Sequence, residues 1–304
     1  MYVDRPPRVI ETRVFARMPD AFRRNNVRTA WADANRGGQP AECFLEGPSF
    51  DAEGNLYLVD IPFGRIFCVS PGGDWTLFAE YEGWPNGLKV HRDGRILIAD
   101  YMHGLMQLDP RGRTVRPVLT SRNSESFKGC NDLYIAASGD IYFTDQGQTG
   151  LHDPTGRVYR LAVDGRLDCL LSNGPSPNGL VLDAHESVLF VAMTRDNSIW
   201  RVPLMRDGGV AKVGRFCSLF GTSGPDGLAM DEAGRLMVAH ASLGHVFVFA
   251  PDGECVARVK SCAGKTCTNV AFGGPKRRQL YITESQTGSV LVADLDVSGM
   301  ALPR

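Results

Sequence analysis

Six polar residues recur at the same point of six short sequence repeats, and every one of their side chains carries an oxygen donor. They are Glu46, Asn86, Asn131, Asn178, Asp226 and Asn269, and they follow one another at intervals of 40, 45, 47, 48 and 43 residues. Two carboxylates and four amides, with no thiolate or imidazole, make a hard donor set that suits Ca²⁺, Mg²⁺ or Mn²⁺. The chemistry that this pattern indicates is therefore the binding of a divalent cation.

A simpler interpretation is that these residues only begin turns. Asn-Gly and Asp-Gly favour turns in any protein, and four of the six residues precede glycine. A turn, however, does not require Glu in one repeat and Asp in another. The matched position of all six copies favours the cation site.

The repeats also predict the elements that would bring these residues together. Each polar residue opens an apolar run, and a loop and a second apolar run such as Ile96–Asp100 follow. A period of roughly 40–50 residues built from short strands is typical of a β-propeller with one four-stranded blade per repeat. A propeller places the same position of every blade around one central channel, so the six residues are expected to form a ring at one mouth.

The second repeat shows how one blade is built. Its alternating strand begins at Gly87, Asp93-Gly94 forms a hairpin turn, and three further short strands follow before Leu119. Pro117 falls in the last of these strands, where a missing backbone donor is tolerated because the strand is an edge. Four antiparallel strands per repeat are expected.

The sixth repeat supplies only three strands before the chain ends. An unused strand lies at the front, over residues 10–16. Because a ring leaves no free edge only when it closes, we expect this strand to complete the last blade. The sequence thus predicts an all-β, six-bladed propeller as a single domain over residues 1–304, with the blades in 43–295 and a loop or lid in 21–42.

Composition excludes several classes of partner. The 304 residues carry a net charge of −1 and are 43% hydrophobic, so no nucleic acid or membrane partner is expected. The first residues lack the apolar core of a secretory signal, and eight scattered cysteines suggest reduced thiols, so we expect a cytoplasmic location. The oligomeric state is left open.

Four segments of the chain resemble those of one protein family. They are Glu46-Gly-Pro, Gly129-Cys-Asn-Asp132, Pro177-Asn178-Gly and Pro225-Asp226-Gly. They are similar to the SMP-30/gluconolactonase/LRE-like family of six-bladed propellers, which includes lactonases and diisopropylfluorophosphatase-type hydrolases. The resemblance implies one catalytic divalent cation held by Glu46, Asn131, Asn178 and Asp226, with Asn86 beside these ligands and Asn269 in a less defined role. Ca²⁺ is expected first, with Mn²⁺, Mg²⁺ or Zn²⁺ as alternatives.

The chemistry implied is the opening of a small-molecule lactone. The cation would polarise the carbonyl, and Asp226 would assist the attack of water as base or, by analogy with the phosphotriesterase branch, act as nucleophile. Two alternatives are a phosphotriester or fluorophosphate hydrolase at the same site and a non-catalytic scaffold of the NHL type with a structural ring. No Gly-x-Ser-x-Gly, His-Glu-x-x-His or Gly-x-Gly-x-x-Gly motif offers another catalytic apparatus.

One departure bears on the substrate. Where sugar-lactone members of the family often carry an arginine, this chain has Gly129, flanked by Lys128 and followed by Cys130. The resemblance therefore argues against an aldonolactone and favours a less polar or differently substituted lactone. Lys128, Cys130, His103 and His152 are the remaining candidates for contact with the substrate or the cation ligands.

Overall fold

The computed structural model describes residues 6–301, and this part of the chain forms six blades around a central channel, as the sequence predicts. Five blades have four antiparallel strands, and blade five has an additional fifth strand. Blade one holds Leu45–Phe50, Leu56–Asp60, Arg65–Val69 and Trp75–Glu80, counted from the channel outward; blade two holds Pro85–Val90, Ile96–Asp100, Gly104–Asp109 and Thr114–Leu119. Blade three holds Cys130–Ile135, Ile141–Asp145, Gly156–Leu161 and Leu167–Gly174; blade four holds Pro177–Leu182, Val188–Met193, Ser198–Pro203 and Gly214–Ser218. Blade five holds Pro225–Met230, Leu236–His240, His245–Phe249 and Cys255–Lys260, and blade six begins with Cys267–Gly273, Gln279–Glu284 and Ser289–Asp294. A small hairpin, Ser121–Arg122 with Glu125–Ser126, lies between blades two and three.

The N-terminal segment closes the ring, and it does so with two strands. Arg13–Arg17 pairs antiparallel with Ser289–Asp294 and completes blade six, which confirms the predicted closure. Arg8–Glu11 instead pairs in parallel with Cys255–Lys260 and adds a fifth strand to blade five. The single strand expected over residues 10–16 is therefore two strands in two blades.

Thr12 is the residue at which the chain passes from blade five to blade six. Its backbone N–H and its hydroxyl both donate to the carbonyl of Lys260, at 3.1 and 2.9 Å, and its hydroxyl accepts from the N–H of Cys262 at 2.9 Å. These bonds satisfy polar groups that the break in the strand would otherwise leave unpaired. Sequence alternation does not mark such a step, because the residues on either side both read as strand.

The core lies between neighbouring blades. The second strand of each blade is packed on both faces, and all residues of Leu56–Asp60 and of Val188–Met193 are buried. A strand buried on both faces reads as a continuous apolar run, which explains the second apolar run of every repeat. Each Val or Leu buried in this way stabilises the fold by about 1.5–3 kcal/mol.

Residues 18–44 run across one end of the channel. They contain a 3₁₀ turn at Asp20–Phe22 and an α-helix at Ala30–Asn35. Thr29 caps the N-terminus of this helix, because its side chain accepts a hydrogen bond from the N–H of Ala32 at 3.2 Å. Further 3₁₀ turns are Ile61–Phe63, Thr194–Asp196 and Pro275–Arg277. The buried Arg65 forms an ion pair with Asp60 and donates to the carbonyl of Phe22 at 2.7 Å, so blade one anchors the start of this segment.

Within residues 6–301, no helix has both the length and the apolar character needed to cross a lipid bilayer. All eight cysteines fall in the described part of the chain, and all are free thiols, as expected from their scattered positions.

Candidate cation and substrate site

The six polar residues singled out in the repeats are all buried at the heads of the inner strands. Five of them line one cavity of about 550 Å³ at this end of the channel, which we call the ligand mouth: Glu46, Asn86, Asn131, Asn178 and Asp226. Asn269 does not line the cavity and lies against Glu46 instead.

A local irregularity of the inner strands turns these side chains toward the channel. In blades one to five the pairing of the first and second strands shifts register at the polar residue, as between Glu46 and Ser49 or between Pro225 and Leu228. In blade six the shift lies at Thr268, between Cys267 and Asn269. A bulge of this kind interrupts the alternation of side chains and changes the direction of the residue it contains. The same irregularity in blades one to five gives five polar side chains with one orientation, whereas in blade six it contains Thr268 and leaves Asn269 one residue beyond.

The glycine that follows a ring residue lets neighbouring blades approach closely. Gly47 has a φ of +56°, and a Cβ built on it would lie 2.6 Å from the carbonyl oxygen of Asn86. A Cβ on Gly227 would overlap with Oδ1 of Asn269. Any larger residue would push the blades apart at the ring, so the repeated glycine has a packing role there.

The two carboxylates of the ring oppose one another electrostatically. Burial and, second, repulsion from Asp132 raise the pKa of Glu46 from 4.5 to about 8. Burial also raises the pKa of Asp226 well above its ordinary value, and the neighbouring Glu46 adds to this shift. Hydrogen bonding from Asn178 and the charge of Arg195 lower the pKa of Asp226 in part. A divalent cation bound next to two buried acids that repel each other would stabilise the ionised form of both.

Hydrogen bonds decide which amide oxygens face the cavity. Asn131 donates through Nδ2 to Oε1 of Gln146 at 2.9 Å, which leaves its Oδ1 available to a cation. In Asn269 both ends are engaged, because Oδ1 accepts from the N–H of Val270 at 2.8 Å and Nδ2 donates to Oε2 of Glu46 at 2.8 Å. Asn269 is therefore a partner of a carboxylate and not a cation ligand. The strand register explains why the prediction of a sixth ring residue is wrong: Thr268 stands at the place of Asn131, and Asn269 stands at the place of Asp132.

Asp132 is a buried carboxylate that the repeat pattern did not single out. It stands where four other blades have the glycine after the ring residue. Its Oδ2 accepts from Nδ2 of Asn269 at 3.1 Å, across the channel between blades three and six, and its Oδ1 lies 3.6 Å from Nζ of Lys89. The signal available in the sequence was an acid in place of a repeated glycine.

Residues 18–44, which we call the covering segment, and two blade loops cover the ligand mouth. Trp31 is buried with its ring 4.8 Å from that of Phe44, and both residues line the cavity. Nε2 of Gln148 donates to Oδ1 of Asn35 at 3.4 Å and to the hydroxyl of Tyr101 at 3.1 Å, which ties the short helix to blades two and three. This segment has no counterpart in the repeats, so the repeat pattern does not reveal its contribution.

The remaining candidates lie outside the cavity lining. Cys130 is fully buried in an apolar cluster, and burial raises the pKa of its thiol well above the ordinary value. Lys128 donates to the hydroxyl of Thr155 at 2.5 Å, and Nε2 of His103 donates to the carbonyl of Glu82 at 2.9 Å. His152 is exposed near the rim. A Cβ on Gly150 would lie 3.1 Å from the Nδ1 of this histidine and 3.6 Å from Cγ of Arg195.

The four residues of the expected ligand set line one cavity. They are Glu46, Asn131, Asn178 and Asp226. In the described part of the chain, no cluster of three or more His, Cys, Asp or Glu side chains has the arrangement of a metal site. The donor set is instead two carboxylates joined by amides, a composition that fits a hard divalent cation better than a thiophilic one.

The chain shares sequence with two lactone-hydrolysing proteins. It is 30% identical to a gluconolactonase of Zymomonas mobilis over 272 residues, which cover 79% of this chain and 76% of that protein. It is 31% identical to lactonase drp35 of Staphylococcus epidermidis over 227 residues, which cover 71% of this chain and 69% of the relative.

The architecture also matches solved structures. Regucalcin of Agrobacterium tumefaciens, described as a calcium-binding protein, superposes with a TM-score of 0.77 over 98% of this chain and 99% of its own, at 23% identity. At that identity the likeness establishes the fold. A model of the SMP-30/gluconolactonase/LRE-like region matches residues 44–286, which include every ring residue. The chain belongs to the SMP-30/gluconolactonase/LRE-like family.

Proposed function

We propose that this protein is a divalent-cation-dependent lactone hydrolase. The observation that carries the proposal is that Glu46, Asn131, Asn178 and Asp226, four buried residues with oxygen-bearing side chains, line a single cavity. The gluconolactonase of Z. mobilis and the lactonase of S. epidermidis support lactone opening as the reaction. The calcium-binding regucalcin supports Ca²⁺ as the first choice of cation.

The proposed ligands are Glu46, Asn131, Asn178 and Asp226. A divalent cation held there would keep both carboxylates ionised and would polarise the carbonyl of a bound lactone. Glu46 already accepts from the N–H of Gly47 at 2.7 Å and from Asn269 through Oε2, so its Oε1 remains for the cation. Glu46 therefore serves to hold charge, not to move a proton.

Asp226 is the proposed base. Its carboxylate lines the cavity, and burial raises its proton affinity above that of an exposed aspartate. It takes a proton from the water whose oxygen attacks the lactone carbonyl carbon. When the ring C–O bond breaks, Asp226 returns the proton to the leaving alkoxide, and the product is a hydroxy acid.

Residues at the ligand mouth would position the substrate. Asn86 lines the cavity beside the proposed ligands, and Tyr101 and Trp31 form part of the wall. The indole of Trp31 and the ring of Phe44 present an apolar surface at the entrance. Such a surface accepts the carbon skeleton of a lactone and limits the access of bulk water.

A pH-stat assay with controlled cation content tests the proposal. The protein is stripped with a chelator, restored separately with Ca²⁺, Mn²⁺, Mg²⁺ or Zn²⁺, and offered δ- and γ-lactones together with an aryl phosphotriester. We expect lactone hydrolysis to vanish on stripping and to return with one ion. Failure of every ion-loaded form to open any lactone would overturn the proposal. Phosphotriester turnover would then assign the alternative hydrolase, and chelator-sensitive stability without any turnover would indicate a scaffold.

A further inference from the structure

The charged residues at the ligand mouth are not all accounted for by a cation site. Among the described residues that line the cavity, three are arginines and three are carboxylates: Arg23, Arg36, Arg195, Glu42, Glu46 and Asp226. With the proposed divalent cation bound, Glu46 and Asp226 are neutralised. The charge of the mouth then depends on how the arginines and Glu42 are engaged.

One arginine has a structural role. Arg23 pairs through Nη1 with Oε2 of Glu42 at 3.0 Å and donates through Nη2 to the carbonyl of Thr287 at 2.8 Å. It joins the covering segment to blade six, and its charge is balanced by Glu42. The Arg23 guanidinium is therefore not available to a ligand.

The other two arginines are not engaged in this way. Among residues 6–301, neither Arg36 nor Arg195 forms a side-chain hydrogen bond or an ion pair with another residue. Both residues are exposed, and both line the cavity. Two positive charges thus remain at the mouth once the cation and the Arg23–Glu42 pair are counted.

Both arginines stand on elements that the fold holds in place. Arg36 directly follows the helix Ala30–Asn35, whose last residue is bonded to Gln148. Arg195 lies in the turn Thr194–Asp196 of blade four, and the hydroxyl of Thr194 donates to the carbonyl of Pro225 at 2.8 Å. Arg195 is therefore fixed next to the strand that carries Asp226, while Arg36 comes from the covering segment.

We propose that Arg36 and Arg195 bind an anionic group on the substrate, so that the natural substrate is a lactone bearing a carboxylate or a phosphate. The inference rests on the proposed lactone hydrolysis and names the substrate class of that site. A guanidinium presents a planar fork of donors that matches both anions, and both Arg36 and Arg195 line the mouth. Their field also attracts an anion from solution, and added salt weakens that attraction.

A pair of isosteric lactones provides the test. The γ-carboxylate of γ-butyrolactone and its neutral γ-carboxamide differ by one charge at nearly constant shape. We expect the wild-type enzyme to favour the carboxylate in kcat/KM by about tenfold at low salt, a ratio equal to about 1.4 kcal/mol, and to lose part of this preference at high salt. The phosphate ester of γ-(hydroxymethyl)-γ-butyrolactone, compared with its alcohol, distinguishes a phosphate from a carboxylate as the preferred anion.

Variants assign the preference to the two arginines. In the double variant R36Q/R195Q the carboxylate-to-carboxamide ratio should fall to about one, whereas R36K/R195K should retain part of it because the charge remains. The matched control is Arg201→Gln, an exposed arginine on an outer part of blade four. A wild-type ratio near one, or a ratio that survives in R36Q/R195Q, would overturn the inference.

A binding measurement separates this inference from the proposed function. Calorimetry on the Ca²⁺-loaded protein compares the ring-opened dianion 2-hydroxyglutarate with the monoanion 4-hydroxybutyrate. If the dianion binds about tenfold more tightly, and only when both arginines are present, the anion site stands even if no lactone is hydrolysed. If lactones are hydrolysed but neither rate nor binding depends on the second anion, the hydrolase stands and the acidic substrate is rejected.

Discussion

The two mouths of the central channel enclose cavities of equal volume, about 550 Å³ each, but their linings differ in kind. The ligand mouth is lined by the carboxylates and amides at the heads of the inner strands. The far mouth, at the other end of the same strands, is lined largely by apolar residues such as Val181, Leu228 and Val270. Cavity size therefore does not identify the functional end of this propeller, whereas the chemistry of the strand heads does.

The difference arises within a few residues of each inner strand. The bulge after each ring residue directs a polar side chain into the ligand mouth, and regular alternation resumes beyond it. Between the mouths lies a chain of polar contacts from Glu46 through Asn269 and Asp132 to Lys89, which also lines the far mouth. The channel thus holds three buried carboxylates toward the ligand mouth and one ammonium group toward the far mouth.

The largest effect should come from exchanging an acid at the ligand mouth. Asp226→Asn keeps the shape of the side chain but removes the proposed base and one anionic ligand, so kcat should fall on the order of 10³-fold. The matched control is Asp51→Asn at the far mouth, whose carboxylate is bonded to Asn55. Initial rates on one lactone, with circular dichroism to verify folding, check the pair. Full activity in D226N, or an equal loss in D51N, would contradict the assignment of the ligand mouth.

A second prediction concerns pH and cation binding together. The pKa of Glu46 is raised from 4.5 to about 8, so between these values the folded, cation-free protein binds more protons than the unfolded chain. Its free energy of unfolding should therefore fall as pH rises from about 5 to 8. A cation relieves the repulsion, and its stabilising effect should be larger at pH 8 than at pH 5.5, where it must displace protons.

Thermal denaturation measures this difference. At about 1,000 times Kd a bound ion adds about 4 kcal/mol, which corresponds to a rise in Tm of about 6 °C for a chain of this size. We expect a gain of this order at pH 8 with Ca²⁺ and less than half of it at pH 5.5 at the same ion concentration. Equal gains at both pH values would show that Glu46 does not titrate with cation binding.

Sequence repeats reveal the ring but not the groups that surround it. The repeats place the six polar heads at one mouth because a propeller has one register per blade, and the structure gathers five of them around one cavity. The repeats do not predict the buried carboxylate of Asp132, because this residue replaces a repeated glycine. The segment before blade one has no repeat with which it can be compared. The repeats therefore do not reveal the roles of Trp31 and Arg36 or the division of the N-terminal strand at Thr12.

The third prediction contrasts two amides of the inner strands, one in the cavity lining and one beside it. Asn269→Ala removes the donor to Glu46 and Asp132, so affinity for the cation should fall by about tenfold to a hundredfold. Asn86→Ala removes a cavity-lining amide that we place beside the ligands, and it should change cation affinity by less than about threefold. Calorimetric titration of Ca²⁺ into both variants checks this order. The reverse order would make Asn86 a direct ligand.

The smallest effect should come from removing an arginine at the far mouth. Arg277 lines that cavity, but it is engaged with Glu232 at 2.8 Å, and both side chains are about half exposed, at 41% and 51%. Ion pairs so exposed contribute little, and Arg277→Gln should lower the free energy of unfolding by less than about 1 kcal/mol. Because its charge is already balanced and lies at the wrong end of the channel, kcat/KM for an acidic lactone should stay within about twofold of wild type.

Arg195→Gln removes the same charge at the ligand mouth, where no carboxylate of the described residues pairs with it. If R277Q lowered kcat/KM as much as R195Q, the net charge of the protein, and not the geometry of the ligand mouth, would govern the attraction of the substrate.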